Sequence, residues 1–292
     1  MNRFQVKKVA VLGAGVMGAQ IAAHLVNVKV PVVLFDLPAK EGPKNGIVTR
    51  AVENLKKLKP SPLGVASDAD LIVQANYEEH MEQLKDCDLI IEAIAERMDW
   101  KLDLYTKIAP FIAPHAIVAS NTSGLSITKL SEALPEAIKP RFCGIHFFNP
   151  VPVLRLVELV ASLLTSEDTI NRSTAFAEVA LHKRVIRSKD RAGFIVNALL
   201  IPYILSAVRM LESGYASAED IDLGMVEGCA HPMGPLRLAD LIGLDTTSAV
   251  AESLYTEFKE PLYAAPPLLS RMVDAGLLGR KAGRGFYDYS KK

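Results

Sequence analysis

The stretch GIHFFNPVPVLRLVE, Gly144 to Glu158, sets a histidine and a glutamate near the outer ends of two short apolar runs joined through prolines. An imidazole oriented by a carboxylate is the arrangement a general base requires. Apolar runs on either side of a proline turn read as neighbouring strands folded back on each other. If they pair, His146 and Glu158 face one another. The competing reading is structural: a histidine at a strand end and a glutamate solvated on a strand.

A place for a cofactor lies upstream. Lys8 to Leu12 is a short β-rich run that passes directly into Gly13-Ala14-Gly15-Val16-Met17-Gly18, a G-x-G-x-x-G. A helix is expected next, because Met17, Ile21, Ala22 and Leu25 recur at three- and four-residue spacing. Gly13 permits the tight turn, Gly15 lets backbone approach a pyrophosphate, and Gly18 lets helix pack on strand. The first-turn N–H groups, at Val16, Met17 and Gly18, are offered to the phosphates. Alone, the hexapeptide is a weak signal, since any tight strand-to-helix turn can use it. Context strengthens it: a second strand, Pro31 to Phe35, ends in Asp36, about 20 residues on, where an acid accepts the adenine ribose hydroxyls. A carboxylate there repels a 2′-phosphate, so NAD is expected rather than NADP.

The elements around these residues alternate. Strands are expected at 88–91, 116–119 and 142–145, and helices at 45–58, 99–112 and 167–181. Such alternation implies βαβ units and a mainly parallel sheet covered by helices. Beyond Ser188 the pattern turns helical, with segments at 193–213, 218–228, 235–258 and 265–276. The expected fold is an α/β Rossmann-type doubly wound sheet followed by an all-α C-terminal domain, with domains at 1–188 and 189–292. Gly193 to Leu211 is apolar nearly all round and long enough to span a bilayer. Asn197, Pro202 and Arg209 argue instead for a helix buried between domains or subunits.

Composition agrees with an enzyme of this kind. At 292 residues, 50% apolar, the chain can bury a full core. Its formal net charge of zero points to neither nucleic acid nor an anionic membrane. Cys87, Cys143 and Cys229 are odd in number and lack metal-ligand spacing, which suits free thiols in a reducing compartment, and no metal is expected. The first strand begins so near Met1 that no leader is expected, giving a cytoplasmic protein or a processed form.

Further candidates sit at strand ends. Glu92 and Glu96 follow the strand at 88–91, with Lys101 beyond, and border the nicotinamide side of the site. Ala119-Ser120-Asn121-Thr122-Ser123-Gly124 reads either as a helix N-cap cluster or as oxygen-binding groups. Lys56, Lys57 and Lys59 form a basic tip, a solvated helix end or a seat for a phosphate-bearing substrate tail.

With these residues in view, the chain resembles the L-3-hydroxyacyl-CoA dehydrogenase family over nearly its whole length. The motifs are GAGVMG, Asp36, ASNTSG, GIHFFNP with LVE, KDRAGFIVN from Lys189, HPMGPLRLADLIGLD from His231, and GLLGRKAGRGFYDY near the end. The first half, with PSPLGVASDADLIVQAN from Pro60, resembles the dehydrogenase part of multifunctional β-oxidation enzymes. From Val151 onward the chain is similar to compact 3-hydroxybutyryl-CoA dehydrogenases. The resemblance implies NAD-dependent interconversion of (3S)-3-hydroxyacyl-CoA and 3-ketoacyl-CoA in fatty acid metabolism, and a homodimer formed through the helical domain.

Carried over residue by residue, the resemblance makes His146 the base and Glu158 its orienting partner. Ser123 and Asn197 match groups that hydrogen-bond the reacting oxygen. Asp36, Glu96, Lys101, Asn121 and Lys281 match NAD contacts, and Arg50 and Lys57 fall where coenzyme A is held. Two departures stand out: Gly124 replaces a frequent second serine, and Ala192 a frequent proline. Two other readings stay open at this point. An L-gulonate-type sugar-acid dehydrogenase would keep the glycines and the His–Glu pair, and a non-catalytic dinucleotide-binding protein would need only the fold.

Overall fold

The computed structural model describes residues 6–290. The chain divides into two compact units, one ending at Asp190 and one beginning at Arg191. The first is built on one sheet of eight strands: β1 (Val9–Leu12), β2 (Val32–Asp36), β3 (Val73–Asn76), β4 (Leu89–Glu92), β5 (Ile117–Ser120), β6 (Phe142–Phe147), β7 (Leu156–Ala161) and β8 (Arg184–Lys189). Their order is β3-β2-β1-β4-β5-β6-β7-β8. Every neighbouring pair is parallel except β6 with β7.

Strands β1, β4, β5 and β6 are buried at every residue, which explains why they read as unbroken apolar runs rather than alternating ones. Helices α1 (Val16–Asn27), α2 (Gly46–Leu55), α3 (Met98–Ile108), α4 (Ile127–Leu130) and α5 (Glu167–Ala175) belong to this unit. On one face, Ile21, Ala22 and Leu25 of α1 pack in a core with Val9 and Val11 of β1 and Ile91 of β4. The order of strands reverses between β1 and β4, so the crevice at their carboxyl ends is the expected ligand site.

Strands β3 and β8 escaped the sequence reading, and both are edges of the sheet. An edge strand buries less than a central one, so its apolar signature is weaker: VQAN and RVIRSK each keep exposed positions. The helix expected at 99–112 stops at Ile108 and tightens into a 3-10 turn containing Pro110. The one expected at 167–181 is α-helical to Ala175 and continues as a turn of π-helix.

The second unit contains α6 (Val196–Glu212), α7 (Ala218–Cys229), α8 (Pro235–Ile242), α9 (Leu244–Phe258) and α10 (Pro267–Asp274). The single helix expected at 235–258 is two, because Gly243 takes φ +104°, a conformation that breaks the helical path. Helix α6 buries Ile201, Ile204, Leu205 and Val208 yet leaves Leu199 72% exposed, and no helix of the described residues is long and apolar enough to cross a membrane. The final motifs are architectural. Asp240 of α8 accepts hydrogen bonds from Phe286 N, Tyr287 N and the Tyr289 hydroxyl, and an added Cβ at Gly279 or Gly285 would collide with Asp240. Asp222 of α7 likewise accepts from Leu236 N, Arg237 N and the Tyr287 hydroxyl.

Candidate active site

Parallel register aligns Leu12 of β1 with Phe35 of β2 on one side and Glu92 of β4 on the other. Gly13, Asp36 and Ala93 therefore emerge together. Gly13 N donates to Phe35 O at 2.8 Å and Ala93 N to Leu12 O at 2.7 Å. A Cβ on Gly13 would stand 2.7 Å from Ala93 O, and one on Gly18 only 1.8 Å from Gly13 O. Around Gly15 an added Cβ would meet no protein atom within 4 Å. No side chain caps α1, and its first turn holds no acid. An uncapped helix start beside an open glycine fits a pyrophosphate. Asp36 Oδ2 accepts from Ala14 N at 2.6 Å, fixing the carboxylate at the rim of the loop. The cavity here, of about 410 Å³, is lined by Gly13, Gly15, Asp36, Tyr77, Ile94 and Trp100 among others. The residues present thus fit a dinucleotide.

On the same sheet, the antiparallel pairing of β6 and β7 sets His146 directly opposite Glu158. Nδ1 of His146 lies 2.8 Å from Oε2 of Glu158, with 4% and 0% of the two residues exposed. Donation from Nδ1–H to the carboxylate leaves the imidazole lone pair on Nε2, the state of a general base. The ring of Phe148 lies 4.5 Å from that of His146, centroid to centroid. Gly144 lets the pair approach, since a Cβ there would stand 2.9 Å from Val160 Cβ.

A buried network joins β4 to the ASNTSG turn. Glu92, fully buried, accepts from Lys101 Nζ at 2.5 Å and Ile94 N at 2.7 Å through Oε1, and from Ser120 Oγ at 2.7 Å and Tyr105 Oη at 2.9 Å through Oε2. Burial, then the Glu92 charge, holds the Tyr105 hydroxyl well above its ordinary pKa. Lys101, expected to meet the cofactor, is 1% exposed with its ammonium on Glu92 and 3.5 Å from Glu96 Oε2. Glu96 Oε1 in turn accepts from Thr122 Oγ1 and from the N–H groups of Ser123 and Gly124, at 2.5, 2.8 and 3.2 Å. Asn121 Oδ1 accepts from Phe147 N at 2.9 Å, tying β5 to the histidine strand.

The cap reading and the oxygen-binding reading of this turn separate. Ser126, not Ser123, caps α4, and Asp190 accepts from Ser126 Oγ, Ile127 N and Thr128 N beside it. Ser123 is half-buried. Arg50 and Lys57 are exposed on α2 and just beyond it, while the neighbouring Lys56 pairs with Asp70 at 2.8 Å. In the second unit Asn197 stands in the first turn of α6, and Lys281 pairs with Asp245 at 2.6 Å.

Several contributors carried no signal in spacing. Gln20, a buried residue of the cofactor helix, donates to Asn149 Oδ1 and accepts from Val151 N, both at 3.0 Å, so α1 grips the loop that follows His146. Lys183 grips the same loop through the carbonyls of Val151 and Leu154. Burial lowers its pKa to about 8. A polar residue in a helix interior is invisible as a clamp until its partner is known.

A phosphate-binding glycine turn, an acid at the end of the second strand and a carboxylate-held histidine on one sheet define a nicotinamide-dependent dehydrogenase. The family model for the NAD binding domain of 3-hydroxyacyl-CoA dehydrogenase matches residues 8–191, and that for its C-terminal domain residues 193–289. The 3-hydroxybutyryl-CoA dehydrogenase of Mycobacterium tuberculosis is 43% identical over 290 residues, covering 97% of this chain and 99% of its own. Human mitochondrial hydroxyacyl-coenzyme A dehydrogenase is 38% identical over 301 residues, covering 97% and 91%. A crystal structure of (S)-3-hydroxybutyryl-CoA dehydrogenase from Ralstonia eutropha shares 41% identity at a TM-score of 0.85, covering 98% of this chain and all of that one. The chain belongs to the 3-hydroxyacyl-CoA dehydrogenase family, and its cofactor is NAD.

Proposed function

We propose that the protein interconverts short-chain (3S)-3-hydroxyacyl-CoA and 3-ketoacyl-CoA, the 3-hydroxybutyryl-CoA and acetoacetyl-CoA pair, through His146. The observation that carries this reading is the 2.8 Å contact of His146 Nδ1 with Glu158 on the sheet that also bears the dinucleotide cradle. Bound NAD supplies the hydride acceptor, and NADH the donor in the reverse direction.

In oxidation His146 Nε2 takes the 3-hydroxyl proton as the C3–O bond becomes a carbonyl, and Glu158 stabilises the imidazolium that results. In reduction the same nitrogen returns the proton to the carbonyl oxygen. Ser123 and Asn197 are assigned to hydrogen-bond that oxygen, which keeps it aligned and supports the charge it gains. Gly13, Gly15, Val16, Met17 and Gly18 hold the diphosphate, and Asp36 the adenine ribose. Glu96, Lys101, Asn121 and Lys281 are assigned to the cofactor, and Arg50 and Lys57 to the coenzyme A tail.

The family relationship supports an acyl-CoA substrate over a sugar acid, and the exposed cations Arg50 on α2 and Lys57 just beyond it match a phosphorylated tail. The second unit carries an apolar groove lined by Ile195, Leu199, Tyr203, Pro232, Met233 and Leu238, a surface suited to a homodimer. Three cysteines, none in a disulfide, suit a reducing cytoplasm.

The experiment is NADH consumption by the purified protein with acetoacetyl-CoA, repeated with NADPH, with a sugar acid and NAD, and with His146→Gln. Turnover of NADH and acetoacetyl-CoA that collapses in the variant is the expected result. Turnover retained by the variant removes His146 as the base, and sugar-acid oxidation in its place overturns the substrate. Sedimentation at micromolar concentration reads the dimer.

A further inference from the structure

The connection from β6 to β7 runs over residues 148–155, and its first residue, Phe148, rests its ring against that of His146, centroids 4.5 Å apart. Within it, Val153 N and Leu154 N donate to Pro150 O in a turn. Side chains from elsewhere in the unit hold it down. Gln20 Nε2 donates to Asn149 Oδ1 and Gln20 Oε1 accepts from Val151 N, both at 3.0 Å, while Lys183 Nζ donates to Val151 O. Asn121 takes the N–H of Phe147 where the segment leaves β6. Phe148 lies between these anchors.

Packing alone does not call for an amide at position 20. Its neighbours on α1, Ala19, Ile21, Ala22 and Ala23, are buried, and Gln20 is buried with them. A buried amide loses its hydration, a cost that an apolar side chain of the same shape would not incur, so its two hydrogen bonds largely offset that loss rather than adding much stability. What the amide adds is geometry: one planar group, donor on one side and acceptor on the other, sets two points of the loop at once. Its place along α1 matters as well. Gln20 lies about one helical turn beyond Val16, where the helix offers its N-terminus to the diphosphate, so one rigid element both seats the cofactor and holds the loop beside the base.

We propose that Gln20 is a positioning residue of the dehydrogenase reaction: through Asn149, Val151 and the ring of Phe148 it fixes the His146 imidazole relative to α1, and so to the cofactor seated on that helix. The assignment rests on His146 being the base, and adds a determinant of its placement that lies outside the glycine fingerprint. A base displaced by a fraction of an ångström costs rate without costing binding.

The test is Gln20→Met, which keeps the length of the side chain and removes both polar ends, alone and combined with His146→Gln. Expected is a fall in kcat with acetoacetyl-CoA and saturating NADH of about 3- to 30-fold, the loss of two bonds that orient rather than react. NADH affinity by calorimetry stays within about twofold, since a transition-state effect need not touch ground-state binding. In the ligand-free protein the imidazole resonance of His146, identified by its absence from His146→Gln, shifts as the ring of Phe148 beside it moves. Added to His146→Gln, Gln20→Met costs no further rate, because nothing is left to position. Unchanged kcat overturns the proposal, and so does an unmoved resonance. A full further loss on top of His146→Gln, or a fall in NADH affinity as large as that in kcat, assigns Gln20 to the fold of α1 and overturns it too. Should Gln20→Met not fold, the same comparisons are made on Gln20→Asn, whose shorter amide cannot span both partners. Turnover retained by His146→Gln alone would instead strike at the base.

Discussion

The ammonium of Lys101 lies 2.5 Å from Oε1 of Glu92, and neither side chain has more than 1% of its surface in water. Through this pair the end of β4 is fastened to α3, and through Glu96 to the backbone of Ser123 and Gly124. An ion pair so buried is held together by its hydrogen bonds as much as by charge, and removing one partner leaves the other stranded.

Glu92→Gln is therefore expected to destabilise the protein by about 3–5 kcal/mol in urea unfolding. Adding Lys101→Met should recover a large part of that loss, since the double variant no longer buries a lone charge. A single-variant loss under about 1 kcal/mol would show that the pair is not the electrostatic anchor of this corner.

Glu158→Gln preserves the shape of the β7 residue while removing the charge that faces His146. The rate with acetoacetyl-CoA and saturating NADH is expected to fall by about 10²- to 10⁴-fold, with NADH affinity nearly unchanged. A fall in NADH affinity of the same size would place the glutamate in cofactor binding rather than in orienting the base.

Cofactor choice is expected to follow Asp36. Its replacement by serine removes the carboxylate that repels a 2′-phosphate, so the kcat/KM ratio of NADH over NADPH should drop by about tenfold or more. Because Asp36 also fastens Ala14 N, activity with NADH should decline as well. A ratio that does not move would place the discrimination elsewhere.

His24 gives stability a pH dependence of predictable sign. Burial in α1, followed by the Lys183 charge, lowers its pKa from 6.5 to about 4, and the neutral ring meets Leu181 O at 3.0 Å. Between these values the unfolded chain binds a proton that the folded one refuses, so stability falls as pH drops from 6.5 toward 4. His24→Gln should flatten that part of a melting-temperature profile. A variant profile as steep as the original would assign the dependence to other groups.

How much of this was legible beforehand depended on whether an element or site was local in sequence. The glycine turn and the acid closing the second strand are contiguous or lie one βαβ unit apart, and the chemistry of each residue type nearly dictates its place. His146 and Glu158 were readable as a pair because a hairpin converts a short sequence separation into direct opposition. The sequence singled out Lys101 but not its pairing with Glu92, since spacing along a helix does not reveal which group a buried ammonium meets.

The amino-acid sequence by itself determined the alternation of strands and helices, the dinucleotide turn, the histidine with its carboxylate and the change to an all-helical second half. These rest on periodicity and residue type, which act over one or two elements. Only the tertiary structure decided the edge strands, the break at Gly243 and the clamps made by Gln20 and Lys183. Each of these depends on burial and on partners distant along the chain, because a polar group's energy is set by what surrounds it after folding.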